Sequence, residues 1–202
     1  MLLLAFIATC ILIEATPGPN MAYLAIISLN KGKAAGLSAV AGTALGLLII
    51  GIAAAIGIAV MISNSTILYQ TLRWGGVLYL LWLAWDGWHD SDGYKDEIKN
   101  VQRFSGKYFK RGLITNLLNP KAAIFYIAML PTYINHQAYV KTQAIILTVS
   151  FVVVATLIHL AIVLLANKAR AMIENQKKRL IISRILALAL VCVAIWFAWS
   201  TK

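Results

Sequence analysis

Two short stretches set charged and amide side chains beside prolines inside otherwise greasy sequence. They are Glu14-Ala-Thr-Pro17-Gly18-Pro19-Asn20 near the start and Asn116-Leu-Leu-Asn119-Pro120-Lys121 past the middle. Proline removes a backbone donor and clashes with the preceding turn, so each stretch breaks any helix that contains it. In the first, the carbonyls of Ile13 and Ala15 lose the N–H groups that Pro17 and Pro19 cannot supply. The helix is expected to stop near Thr16 and restart near Gly18 or Pro19. A half-helix that ends there presents carbonyls, which attract cations, and one that begins there presents N–H groups, which attract anions. In the second stretch Asn119 suits a helix N-cap and Pro120 the first helical position. Lys121 in the first turn opposes the helix dipole, an arrangement that makes sense if an anion sits at that helix start.

Together the stretches supply one acid, Glu14, one base, Lys121, and three amides, Asn20, Asn116 and Asn119. Half-helix ends of both signs suit a small zwitterion, which is an amino acid. Its carboxylate would meet N–H groups and Lys121; its ammonium would meet Glu14 or the free carbonyls. The expected binding set is Pro17, Gly18, Pro19, Asn20, Asn116, Asn119, Pro120 and Lys121. The competing reading is a structural Glu14–Lys121 ion pair with no ligand. His159, midway along an apolar run, is either a packed, hydrogen-bonded residue or a proton relay. Glu14 and His159 are the candidates for proton coupling. Asp86 reads as an acid at the membrane interface.

These residues need a membrane scaffold. The chain has 202 residues, 61% of them hydrophobic and 12% charged, too much apolar surface for a soluble domain of this size. Six apolar segments follow one another: Leu2–Leu29, Leu37–Ser63, Ile67–Gly87, Gly112–Ile134, Gln143–Asn167 and Leu180–Ser200. From Leu2 to Glu14 a helix rises about 18 Å, which sets the first break near the bilayer middle. Intramembrane charges are costly and line pathways. Arg73, close to the start of the third segment, is within reach of the interface.

Charge gives orientation. The loops after segments one, three and five carry Lys31 and Lys33; Lys95, Lys99, Arg103, Lys107, Lys110 and Arg111; and Lys168, Arg170, Lys177, Lys178, Arg179 and Arg184. The opposite side has Arg73, Lys141 and Lys202. The positive-inside rule puts the basic loops in the cytoplasm and both termini in the periplasm. The net charge of +11 therefore belongs to loops, and no soluble basic domain for nucleic acid is present. The apolar N-terminus lacks the basic n-region and clear cleavage site of a signal peptide, so it reads as the first membrane helix.

The loop from His89 to Lys110 is either a short amphipathic helix on the inner headgroups or a solvated linker. It separates three helices from three, the parity of an inverted repeat. The expected fold is an all-α membrane protein of six transmembrane helices in one domain. Residues 1–88 and 112–202 form two inverted three-helix repeats joined by a cytoplasmic linker, 89–111, with helices 1 and 4 broken at the proline motifs. Gly42-x3-Gly46 permits close helix contact, with packing inside the chain as the default reading. The six tryptophans, Trp74, Trp82, Trp85, Trp88, Trp196 and Trp199, read as an interfacial belt rather than a substrate cage. Cys10 and Cys192 read as small buried hydrophobes.

On Thr16-Pro17-Gly18-Pro19-Asn20 and Asn116-Leu-Leu-Asn119-Pro120-Lys121-Ala122, the chain resembles the LysE/RhtB family of amino-acid exporters over essentially its full length. Its size, six spans, glycine-rich second helix and charged middle linker also fit. The resemblance implies efflux of amino acids or close derivatives across a bacterial inner membrane by a secondary transporter, a proton antiporter, often a homodimer. It implies no cofactor and no enzymatic activity. Motif carry-over supports Pro17, Gly18, Pro19, Asn20, Asn119, Pro120 and Lys121, whereas Glu14 and His159 rest on their depth alone. Two other classes compete. A membrane thiol-disulfide carrier of the DsbD/CcdA type needs reactive cysteines in the first and fourth helices, and the fourth has none. A cation or metal exporter needs several Asp, Glu, His or Cys ligands, and the core offers only Glu14 and His159. Side-chain selectivity is expected from apolar residues such as Phe125, Tyr126 and Met129.

Overall fold

Lipid offers no hydrogen bonds, so a chain this apolar has to satisfy its backbone within helices. The computed structural model describes residues 2–57, 65–89, 101–135, 139–173 and 176–200, and every regular element among them is helical. The helices are α1 (Leu2–Ala15), α2 (Pro19–Lys31), α3 (Lys33–Ala55), α4 (Thr66–His89), α5 (Val101–Leu117), α6 (Pro120–Ile124), α7 (Val140–Met172) and α8 (Gln176–Ser200). A π-helical turn (Phe125–Met129) and a 3-10 turn (Leu130–Tyr133) continue α6. The centre of the charged loop, with Asp90, Lys95 and Ile98, and the end of the second segment at 58–63 lie outside the described residues.

α3 and α7 are each long and apolar enough to cross a membrane, and each bent pair, α1–α2 and α5–α6, passes the same test as one span. The bends are 59° and 48°. Both fall where the proline motifs require them. α1 ends at Ala15 and α2 begins at Pro19, with Gly18 as its N-cap. α5 ends at Leu117 and α6 begins at Pro120 behind Asn119. One boundary differs from expectation: α5 starts at Val101, so the last part of the stretch drawn as a linker is continuous with the fourth span. Its buried Tyr108 packs into the same core as Ala35 and Ala39 of α3, which is why that part does not lie apart on the headgroups.

The glycines of α3 explain the tightest crossing. A Cβ added at Gly42 would fall on the carbonyl oxygen of Phe109, and one added at Gly112 of α5 on that of Ala39. Gly46 faces Asn116 in the same seam. Thr43 adds a hydroxyl bond to the Ala39 carbonyl at 3.0 Å and reaches the Gly112 carbonyl at 3.4 Å. Small residues let two backbones meet here, as they do where lipid gives no hydrophobic push between helices. The Gly42-x3-Gly46 pair thus serves contact within the chain.

α4 packs on α8, and two polar ties fix its C-terminal end. Asn30 donates to the Ser183 hydroxyl at 2.8 Å, and that hydroxyl donates to the Gly87 carbonyl at 3.2 Å. Asp86 accepts a bidentate pair from Arg111, whose guanidinium lies 4.7 Å from the Trp82 ring centre. Arg73 also differs from expectation. It is buried, and its guanidinium donates to the Ala198 carbonyl of α8 and to Gln70. Trp74, Trp82, Trp85, Trp196 and Trp199 are exposed. Three tryptophans, Trp74, Trp82 and Trp88, sit under the guanidinium groups of Arg73, Arg111 and Arg184, a favourable cation–π arrangement. Cys10 is buried as expected, but Cys192 is exposed on α8.

Gly112→Val is expected to lower stability by at least about 2 kcal/mol, because neither backbone can yield to the added atoms. Gly106→Ala, one and a half turns earlier on the same helix, meets nothing within 4 Å and should be neutral or slightly stabilising. Thermal unfolding of both variants in detergent checks the contrast, and equal effects would refute the seam.

Candidate functional site

The two breaks meet. Thr16 completes the end of α1 with its own atoms: its N–H bonds the Ile13 carbonyl at 3.1 Å and its hydroxyl the Leu12 carbonyl at 3.1 Å. The carbonyl of Thr16 itself then accepts from Nζ of Lys121 at 2.9 Å. The lysine stem crosses Gly18, whose added Cβ would lie 3.5 Å from Cδ of Lys121. Lys121 thus opposes the dipole of its own half-helix and complements that of α1, since a cation at a helix C-terminus is favourable. Its place in a first turn, which the sequence left to an anion or to Glu14, has a backbone partner across the break.

At the other end of the junction Asn119 does what its type predicts. Its side-chain oxygen accepts from the Lys121 N–H at 3.0 Å, and its carbonyl accepts from Ala123 at 3.2 Å. One turn back, the Asn20 amide donates to the Asn116 oxygen at 2.8 Å, fully buried, linking α2 to α5. This pair leaves Asn20 Oδ1 and Asn116 Nδ2 without a hydrogen-bond partner, and buried polar groups in that condition are costly unless something else meets them. All three amides are buried, as are Gly18 and Pro19.

Glu14 is 5% exposed and stands between two basic side chains. Its Oε2 is 3.9 Å from Nζ of Lys121 and 3.4 Å from Nε2 of His159, which is completely buried on α7. Neither ring nitrogen of His159 makes a hydrogen bond. His159 is packed in the core with Nε2 toward Glu14, a position open to either role read from the sequence. A carboxylate, an ammonium and an imidazole share one low-dielectric spot, and each can answer a change of charge on the others. All ten sequence-selected residues, from Glu14 through Lys121 to His159, gather around the junction.

Beside the junction is a cavity of about 280 Å³. Thr16, Pro17, Gly18, Pro19, Pro120 and Lys121 line it from the breaks, together with the apolar side chains of Ile13, Ile124, Phe125 and Met129. Phe125 and Met129 thus line it as expected of selectivity residues. Tyr126 turns inward instead, packing at right angles to the Phe151 ring and against Gly51. Val193 and Trp196 of α8 close the remaining side, and neither was foreseen, because nothing in an apolar sixth segment marks which face meets the breaks. The π-helical turn that places Phe125 and Met129 had a legible signal in Pro131. That residue cannot bond the Ile127 carbonyl, and the Leu130 N–H reaches back to Phe125 instead.

Comparison with known proteins follows this geometry. The chain matches the family described as LysE type translocator over residues 11–201. It is 29% identical over 174 residues, 86% of this chain and 84% of the relative, to the homoserine/homoserine lactone efflux protein of Salmonella typhi. It is 28% identical over 198 residues, 94% of each chain, to the membrane protein YrhP of Bacillus subtilis (strain 168). No solved structure matches it. A family match that runs from within the first span to the end of the last, enclosing both breaks, makes this all-helical membrane protein a member of the LysE type translocator family.

Proposed function

We propose that the protein exports amino acids or close derivatives across the bacterial inner membrane, as a secondary transporter that exchanges substrate for protons by alternating access. The single observation that carries this is the meeting of two broken spans around buried Glu14 and His159 and the half-buried Lys121. The name of the Salmonella typhi relative, an efflux protein for homoserine and its lactone, supports the same class. In this reading the residues at the breaks bind substrate: Pro17, Gly18, Pro19 and Asn20 from one, and Asn116, Asn119, Pro120 and Lys121 from the other. The substrate carboxylate seats on the first turn of α6 with Lys121, and its ammonium takes Glu14. A proton and the ammonium then compete for one carboxylate, and competition for a shared site is what antiport requires. His159, against Glu14, is the relay.

The architecture that serves this function is two inverted three-helix repeats, the first at 1–88 and the second including 112–202, joined by a cytoplasmic linker that ends where α5 begins at Val101, with basic loops inside and both termini in the periplasm. What supports the repeat is an exchange of partners. The first broken span packs on α7, and the second packs on α3. A two-fold axis that swaps the halves turns one pairing into the other. α4 with α8 and α3 with α7 are pairs that such an axis maps onto themselves. The carrier is proposed to work without a cofactor and to perform no chemistry on its cargo. A metal exporter fits less well: among the described residues no three His, Cys, Asp or Glu side chains gather.

Two substitutions test the roles. Glu14→Gln in proteoliposomes should still exchange substrate with substrate, while substrate-driven proton movement falls at least about tenfold. Proton exchange at the wild-type rate would refute the coupling role. Lys121→Gln keeps a donor toward the Thr16 carbonyl but removes the charge. It should weaken substrate affinity about tenfold or more, the loss of roughly 1.4 kcal/mol or above expected for a charge-assisted bond. Unchanged affinity would refute the carboxylate seat.

A further inference from the structure

The cavity beside the junction is built for an amphiphile. The polar side chains that line it are Thr16 and Lys121, both from the breaks, and six large apolar side chains line it as well: Ile13, Ile124, Phe125, Met129, Val193 and Trp196. Among the described residues Lys121 is the one charged side chain that lines it, and Glu14, 3.9 Å from the Lys121 ammonium, is the acid next to it. A cargo held by its carboxylate at Lys121 must lay its side chain along this apolar wall. A hydroxyl, amide or charge on that side chain would lose its water there without gaining a partner. Trp196 is 66% exposed, so its ring forms the lip between the cavity and the membrane side of α8.

We infer that this carrier selects amino acids with sizeable apolar side chains, the size of leucine, methionine or phenylalanine, and that Val193 and Trp196 of α8 read that side chain. The inference rests on the export reading above and narrows it. It also separates this chain from the substrate in the name of its Salmonella typhi relative, since homoserine carries a hydroxyl that the wall does not serve. The division of labour is by helix. The broken spans hold the groups common to every amino acid, while α8 and the π-helical turn judge what differs.

The test is counterflow into proteoliposomes with labelled leucine and, separately, labelled homoserine, each competed by leucine, methionine, phenylalanine, homoserine, serine and lysine. The apolar three should compete at concentrations at least about tenfold lower than the polar three, the discrimination that a few buried methylene groups supply. Trp196→Ala should shrink that ratio at least about threefold by opening the lip, with the homoserine value unchanged. Val193→Phe, which fills the cavity, should weaken phenylalanine before leucine. Trp85→Ala, an exposed tryptophan outside this cavity, should change nothing. Preference for homoserine, serine or lysine overturns the inference while leaving export standing. So does a ratio untouched by both α8 variants, which would make the apolar wall a lipid-facing surface only. Counterflow of no amino acid at all overturns the export reading and this inference with it.

Discussion

The bond from Lys121 to the Thr16 carbonyl is the constraint on which the site depends. A helix cut in mid-membrane leaves carbonyls at one end and N–H groups at the other, and hydrocarbon can satisfy neither. Here one cut supplies what the other lacks. The end of α1 receives a cation from the start of α6 at 2.9 Å, and the start of α2 is tied to the end of α5 through the Asn20–Asn116 bond at 2.8 Å. The two breaks are therefore stable only as a pair. That interdependence puts two bases each within 4 Å of one acid, Glu14, in a place where isolated charges would be expelled.

Satisfaction is incomplete, and the shortfall has a pattern. Among the described residues nine buried side-chain atoms lack a hydrogen-bond partner, and four of them belong to the junction: Asn20 Oδ1, Asn116 Nδ2 and both nitrogens of His159. Burying a polar group without a partner costs free energy. Structural networks are normally closed, whereas sites that receive a ligand or a proton keep capacity in reserve. The membrane side of the junction is the opposite, with apolar walls and a single charge. The site therefore has a polar face toward α7 and a greasy one toward α8.

Much of this was legible in the sequence, and the reason is chemical. Proline and its neighbours act locally, so the ends of α1 and α5, the N-cap at Asn119 and the first-turn position of Pro120 all follow from residue type. That Glu14, Lys121 and His159 belong together followed from depth, because charge in lipid has few other reasons to exist. What stayed hidden was every fact set by neighbours distant in sequence. The backbone partner of Lys121 stayed hidden since Thr16 lies 105 residues away. Arg73 looked like an interfacial residue since the α8 carbonyl it meets leaves no mark in composition. Val193 and Trp196 were invisible because apolar residues in a membrane helix carry no sign of whether they face protein, cargo or lipid. The early start of α5 was missed because Arg103, Lys107 and Lys110 read as loop, although helices continue past the headgroups readily when one face finds a partner, as Tyr108 does.

The glycine seam between α3 and α5 has a mechanical meaning. It binds a helix of the first half to a helix of the second by direct contact of their backbones, with no side chains between them to slide or repack. Such a joint transmits force rather than absorbing it. If access to the junction alternates, the two halves cannot part as separate three-helix blocks. The seam must travel as one beam carrying Asn116 and the approach to Asn119 with it. Compliance then lies in the stretches where the helical ladder is already interrupted: Thr16 to Gly18, Leu118 to Asn119, and the wide turn from Phe125 to Met129.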